Sequence, residues 1–164
     1  SSDLVVVASG GATGPDFVLW ESNTICRWLA AEHGRDDLLP AGPRPRALVE
    51  RWMDWQATAL NASWRHAFMA LVRQHPDFVA DAAATAASAA QWNRQMGVLD
   101  AWLGHGGPWV AGDTFTLADV VLGLSVQRWR RTPIEHAALP AVQAYFDRVA
   151  ARPAFAAAGC ADHP

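Results

Sequence analysis

Residues 17–30 read FVLWESNTICRWLA, and this stretch decides the fold. Its first four residues, 17–20, form a short run of good β-formers that predicts a strand. The pair Glu21–Ser22 follows, and apolar residues then recur at helical spacing from Ser22 to about His33. A strand therefore passes directly into a helix. The Glu-Ser pair stands at the helix N-terminus, where backbone amides lack partners within the helix.

A proline-rich break divides the chain into two parts. A second short β-branched run, Leu4 to Ala8, predicts another strand before the Glu-Ser pair. The segment LPAGPRP, residues 39–45, breaks any helix and has the composition of a linker. We therefore expect a partial α/β domain at 1–38, with two strands and one helix, and an all-helical domain at 46–164.

The second part is predicted to be a bundle of helices. Apolar residues recur at helical spacing through most of its length. Its middle, AAATAASAA, consists of good helix formers with small side chains that allow close packing. The predicted helices run from about Arg46 to Gln74, from Asp77 to Leu103, from Thr116 onward and from Pro140 onward.

The helix that begins at Thr116 has the most clearly specified start. The sequence GDTFTLADVVLG, residues 112–123, places Asp119 three residues after Thr116. In such a capping box each of the two side chains accepts a hydrogen bond from a backbone amide of the first turn. Phe115 and Val120 flank the box and can form a hydrophobic staple. We predict a structural role for Thr116 and Asp119.

The composition argues against several classes of partner and site. Charged residues make up 18% of the 164 positions and the net charge is −3, so we expect no nucleic-acid partner. No apolar run is long enough to span a membrane. Cys26, Cys160 and the six histidines show no metal-site or redox spacing. We expect no metal, no membrane contact and a reducing, cytoplasmic location.

Three segments, in this order, resemble the glutathione S-transferase family, and bacterial members above all. They are LWESNTICRWLA at 19–30, GDTFTLADVVLG at 112–123 and YFDRVAARPAF at 145–155. The resemblance covers about residues 16–158. It implies a mainly α fold, in which a partial thioredoxin-like α/β segment precedes the all-α helical bundle of the family's C-terminal domain. It also implies glutathione as co-substrate and a homodimer.

The resemblance assigns roles to a few residues. Ser22 would bind the γ-glutamyl carboxylate of glutathione through its amide and hydroxyl, and Glu21 would pair with the γ-glutamyl ammonium. The structural alternative is that Ser22 is an N-cap and Glu21 a first-turn acid. By their placement on the first long helix of the bundle, Asn61, Trp64 and Phe68 would contact the electrophilic acceptor. They are equally compatible with the core or with an interface, as are most of the nine tryptophans.

Two functions remain open. In the family, a Ser, Tyr or Cys near the start of the first helix stabilises the glutathione thiolate. The segment that carries this residue has no counterpart in the sequence, so we assign no catalytic residue. The leading hypothesis is a glutathione S-transferase that conjugates or reduces small electrophiles. The alternative is a non-catalytic binding or interaction module. In either case we expect the partial α/β segment to expose apolar surface.

Overall fold

In a computed structural model of the chain, residues 17–158 and the backbone of residues 6–8 are described. Strands β1 (Val6–Ala8) and β2 (Phe17–Leu19) pair in antiparallel orientation. They confirm the two predicted strands over this range. The predicted strand start at Leu4, the turn between the strands and the last six residues lie outside the described part.

The Glu-Ser pair leads directly into helix α1 (Ser22–Glu32), as predicted. Ile25 and Ala30 are the buried residues of α1, 2% and 5% exposed. The positive φ of Gly34, 59°, lets the chain turn just after the helix ends. The sequence pattern thus located this helix to within one residue.

The linker is shorter than predicted. Helix α2 (Pro43–Trp55) begins inside the predicted linker, 39–45, rather than at Arg46. Proline fits the first turn of a helix because the amide it lacks would have no intrahelical partner there. The prolines of this segment therefore start the helix instead of preventing it.

The helix predicted from Arg46 to Gln74 is a rod of three elements. A π-helical turn, Gln56–Leu60, joins α2 to α3 (Asn61–Leu71). The amide of Asn61 donates to the carbonyl of Gln56, five residues back, so this turn is wider than an α-helical one. The prediction of one uniform helix was wrong at this turn. The wider turn changes the direction in which the side chains of the following helix point.

The helix predicted from Asp77 to Leu103 is also divided. A single turn, α4 (Pro76–Val79), precedes the long α5 (Ala82–His105). The break lies at Asp81, whose carboxylate accepts a hydrogen bond from the amide of Ala84 at 2.8 Å. A capping side chain that satisfies a first-turn amide favours a new helix start over continuation.

The capping box at the start of α6 (Leu117–Arg131) is confirmed. Thr116 and Asp119 exchange the two reciprocal bonds of the box. Asp119 is fully buried, and it also accepts from the Val110 amide at 3.0 Å and from the Tyr145 hydroxyl at 3.1 Å. Because Tyr145 lies on α7 (Pro140–Ala150), this one carboxylate connects a loop and two helices. A last short helix, α8 (Pro153–Ala158), follows.

The hydrophobic core lies between α2, α5, α6 and α7. The amide of Leu117 donates to the carbonyl of Leu38 at 2.9 Å, which ties the linker to the start of α6. The largest fully buried core side chains are Trp92, Tyr145, Met53, Leu60, Met96, Leu99 and Leu122.

The α/β segment exposes apolar side chains, as expected. Phe17 is 43%, Val18 47% and Trp20 63% exposed on or next to β2, and Leu29 on α1 is 39% exposed. A two-stranded sheet cannot cover both of its faces. Within residues 17–158, no helix is long and apolar enough to cross a bilayer.

Candidate glutathione and acceptor sites

Glu21 has an unusual backbone conformation at the end of the strand. Its φ and ψ are 70° and 111°, a region that non-glycine residues rarely adopt and that costs about 1–3 kcal/mol. The cap position of α1 is thus held by Glu21, and Ser22 is the first helical residue. The interpretation of Ser22 as a simple N-cap does not hold, because no side chain caps this helix.

The N-terminus of α1 offers unpaired donors to solvent. The first hydrogen bond of the helix runs from the amide of Ile25 to the carbonyl of Glu21, at 2.9 Å. The amides of residues 22–24 therefore lack partners within the helix, and the helix dipole adds positive potential there. Glu21 and Ser22 are both exposed beside these amides. The unpaired amides and the Ser22 hydroxyl can bind a carboxylate, and the neighbouring Glu21 carboxylate can bind a cation.

Two polar residues of α1 hold the Glu-Ser turn against the bundle. The amide nitrogen Nδ2 of Asn23, next to Ser22, donates to the carbonyl of Met53 at 3.0 Å. One turn later, Nη2 of Arg27 lies 2.5 Å from Oδ1 of Asp54. Both partners lie on the last turn of α2. Because these contacts cross from the α/β segment to the bundle, they set the orientation of the turn.

Gln56, in the π-helical turn, connects three helices. Its Nε2 donates to Oδ1 of Asn61 at 3.2 Å and to Oγ of Ser125 on α6 at 3.1 Å. Its Oε1 accepts from Nδ2 of Asn23 at 3.4 Å. Gln56 is not among the residues predicted from the sequence, because the spacing of apolar residues carries no signal for it. A glutamine in the described π-helical turn is therefore the link between the Glu-Ser turn and α3.

The three predicted acceptor residues lie together on one face of α3. Nε1 of Trp64 donates to Oδ1 of Asn61 at 3.0 Å, and the Trp64 and Phe68 rings are 5.3 Å apart, edge to face. Trp64 also packs against Trp92 of α5, at 5.9 Å. Phe68 is 5% exposed, whereas Asn61 and Trp64 are half-buried. A ligand could thus reach Trp64 and Asn61 more easily than Phe68.

An arginine from α6 completes this face. The Cζ atom of Arg128 stands 4.7 Å from the centre of the Trp64 ring. Burial, and next the charge of Arg73, lowers the pKa of the Arg128 guanidinium from its ordinary value. Arg128 is not among the residues predicted from the sequence, because its position against α3 depends on how the helices pack.

Cys26 does not have the character of an activated thiol. It is half-buried in α1, and burial raises the pKa of its thiol, with a smaller opposing effect from Arg27. A raised pKa keeps the thiol protonated near neutral pH. Within residues 17–158, no group of His, Cys, Asp and Glu side chains is arranged to hold a metal ion.

Comparison with known proteins shows the family of the chain. The family described as "Glutathione S-transferase, C-terminal domain" matches residues 62–153. Glutathione S-transferase GstB of Escherichia coli K12 is 34% identical over 139 residues, which cover 85% of this chain and 66% of GstB. Glutathione S-transferase 3 of Zea mays is 35% identical over 147 residues, which cover 85% and 65%.

Solved structures agree with the sequence comparison. The theta class glutathione S-transferase of Xanthomonas axonopodis pv. citri, solved with glutathione bound, superposes with a TM-score of 0.77 at 38% identity, over 85% of this chain and 72% of that one. Its apo form gives a TM-score of 0.80 at 36% identity, over 88% and 75%. The chain spans about two thirds of the length of the curated relatives it matches. With its fold, capping box and Glu-Ser turn, the chain belongs to the glutathione S-transferase family.

Proposed function

We propose that this chain binds glutathione at the Glu-Ser turn, as part of a transferase that conjugates or reduces small electrophiles. The observation that carries the proposal is the exposed turn itself. Glu21 is held in a strained conformation beside free amides of α1, in a chain that resembles a structure solved with glutathione bound. Strain at an exposed polar residue is the kind of feature that persists at ligand sites.

The described residues would bind and orient glutathione rather than activate it. The amide and hydroxyl of Ser22 would donate to the γ-glutamyl carboxylate, and the Glu21 carboxylate would accept from the γ-glutamyl ammonium. Asn23 and Gln56 would keep this turn aligned with α3, where Asn61, Trp64 and Phe68 would contact the electrophile. The glutathione sulfur would then attack the electrophilic carbon as the thiolate.

We also propose that the protein is a cytoplasmic homodimer with a role in detoxification. An exposed apolar surface of α2 and α5 supports the dimer. Leu48 is 42%, Val98 51% and Trp102 41% exposed, and the Arg51 guanidinium stacks on the Trp102 ring at 4.6 Å. Aromatic and arginine side chains of this kind are enriched in protein interfaces. Sedimentation is expected to give the mass of two chains.

Calorimetric titration with glutathione tests the binding role. Ser22→Ala and Glu21→Gln are each expected to weaken binding about tenfold, the effect of one charge-assisted hydrogen bond. Glu32→Gln, at the exposed C-terminal end of the same helix, is the matched control and should bind as the unmodified chain does. Unchanged affinity in both turn variants would refute the proposed site.

Turnover separates the enzyme from a binding module. The thiol-dependent loss of chlorodinitrobenzene is measured with and without the protein at equal glutathione concentration. Rates well above the solution rate would support a transferase. Binding without turnover would favour the binding module for the chain as given.

A further inference from the structure

Arg128, in the second half of α6, lies against two aromatic rings of α3. Its Cζ atom is 4.7 Å from the centre of the Trp64 ring and 5.5 Å from that of Phe68. The side chain is half-buried, and its Nε is buried without a hydrogen-bond partner. Nε is the one nitrogen of this guanidinium that is buried without a partner, which leaves the two terminal nitrogens to bind a ligand.

No carboxylate neutralises this guanidinium among residues 17–158. Arg27, Arg35 and Arg46 each form an ion pair with an Asp or Glu side chain, whereas Arg128 forms none within that range. Removing a cation from water without pairing it with an anion costs free energy. Contact with aromatic faces offsets only part of this loss.

A second arginine increases the local positive charge. The Cζ atom of Arg73 lies 5.5 Å from the centre of the Phe68 ring, and Arg73 has no ion pair in the described segment either. Two like charges near one ring repel each other, and an anion would relieve both the repulsion and the missing partner. The chain as a whole carries a net charge of −3, so this cationic spot is local.

We propose that Arg128 binds an anionic substituent of the acceptor, so that the preferred substrates are small electrophiles carrying a carboxylate, sulfonate or phosphate group. The inference rests on the proposed function, because Trp64 and Phe68 are the proposed acceptor contacts. Guanidinium groups bind such oxyanions through paired N–H donors. The rings of α3 hold the guanidinium in place, which reduces the entropy lost on binding.

The anionic substituent takes no part in the bond changes. With an aryl chloride, the glutathione thiol loses its proton to solvent, and the sulfur forms a bond to the carbon that carries the chlorine. The carbon–chlorine bond then breaks, and chloride leaves with the electron pair. The charged group serves only to fix the position of the ring, so it is retained in the product.

Binding of two matched electrophiles tests the inference. A chloronitrobenzoate and the chloronitrobenzamide of the same substitution pattern differ in charge and little in shape. In phosphate-free chloride buffer, the chain is expected to bind the benzoate at least about tenfold more tightly. Arg128→Gln should abolish this preference and Arg128→Lys should retain part of it. Arg65→Gln, an exposed arginine of α3 without a described partner, should leave it unchanged.

A direct readout at Arg128 distinguishes the sources of the anion. In a nitrogen-15 spectrum, the Nε–H resonance of Arg128 should shift with the benzoate and much less with the benzamide. Inorganic phosphate that binds as tightly as the benzoate would show a free-anion site and overturn the acceptor assignment. Equal affinities for benzoate and benzamide, or a preference that survives Arg128→Gln, would also overturn it.

Glutathione titration of the same samples separates this inference from the proposed function. If glutathione binds but the benzoate preference is missing, the assignment of Arg128 fails and the glutathione site remains. If the preference depends on Arg128 but glutathione does not bind, the proposed function fails while the anion selectivity of this face stands. Melting temperatures of all variants establish that each is folded before its affinities are compared.

Discussion

Alkaline titration tests the burial of Tyr145 with unusual clarity, because the chain contains one tyrosine and its 13 basic residues are all arginine. Tyr145 is fully buried, and its hydroxyl donates to Oδ1 of Asp119 at 3.1 Å. Burial, and then the negative charge of Asp119, raises the pKa of Tyr145 well above its ordinary value. We expect the tyrosinate to form only when the protein unfolds.

The magnitude follows from proton linkage. The folded pKa is raised above the unfolded value of about 10, so the contribution of Tyr145 is fully present below pH 10 and is lost as pH rises. Above that pH the unfolded chain has released the phenol proton and the folded chain has not. The free energy of unfolding should therefore fall by about 1.4 kcal/mol per pH unit. The raised pKa of Cys26 adds a decline of the same sign, beginning near its unfolded value of about 8.5.

The assay follows two signals in the same samples. The near-ultraviolet absorbance of tyrosinate reports ionisation, and far-ultraviolet circular dichroism reports the helices. The two transitions are expected to share one midpoint. In Tyr145→Phe the decline that begins near pH 10 should disappear, although the variant loses about 1 kcal/mol at neutral pH with the hydrogen bond to Asp119. Cys26→Ala separates the smaller thiol contribution.

One outcome would refute the reasoning. If the tyrosinate band develops near pH 10 while the helical signal stays native, the Tyr145 hydroxyl is open to solvent and its pKa is not raised. The contact with Asp119 would then not exist in solution, and the connection between α6 and α7 would need another explanation.

Two further substitutions probe the polar residues that hold the helices together. Asp119→Ala leaves the Val110 amide and other donors without a buried acceptor, so the free energy of unfolding should fall by about 2–4 kcal/mol. Urea denaturation measures this loss of stability, with Asp147→Ala at an exposed position as the control. A loss no larger than that of the control would contradict the prediction. Gln56→Leu should weaken glutathione binding several-fold and cost about 1–3 kcal/mol of stability. Calorimetry measures the affinity and denaturation the stability, with Gln143→Leu at an exposed position as the control. If Gln56→Leu has the same affinity and stability as the control, Gln56 has no special role.

The capping box shows what local sequence can predict. Thr116 and Asp119 are three residues apart, and their reciprocal bonds depend only on this spacing and on helical geometry. The start of α6 was therefore predictable without knowledge of the rest of the fold. That the same carboxylate also accepts from Val110 and Tyr145 was not predictable, since these contacts join segments distant in the sequence.

Proline positions explain the errors at helix boundaries. Pro43 and Pro76 both mark a break in a sequence pattern, yet each is the first residue of a helix. A proline is equally acceptable just after one helix and in the first turn of the next. Gly42 and His75 are both extended, as a following proline favours in either case. Whether the proline starts a helix depends on the residues after it and on their packing, which the proline itself does not indicate.

The candidate sites depend on features that local sequence patterns do not predict. Glu21 adopts a backbone conformation that its residue type disfavours, and Gln56 lies in a π-helical turn that apolar spacing does not indicate. Arg128 is one of thirteen arginines, and only the tertiary arrangement of the helices places it over Trp64, with no ion pair to a carboxylate among residues 17–158. The strained backbone of Glu21 and the unpaired guanidinium of Arg128 are each unfavourable for folding alone. A ligand that uses the turn or the guanidinium would offset that cost, which is why the glutathione and acceptor sites are best sought at these residues.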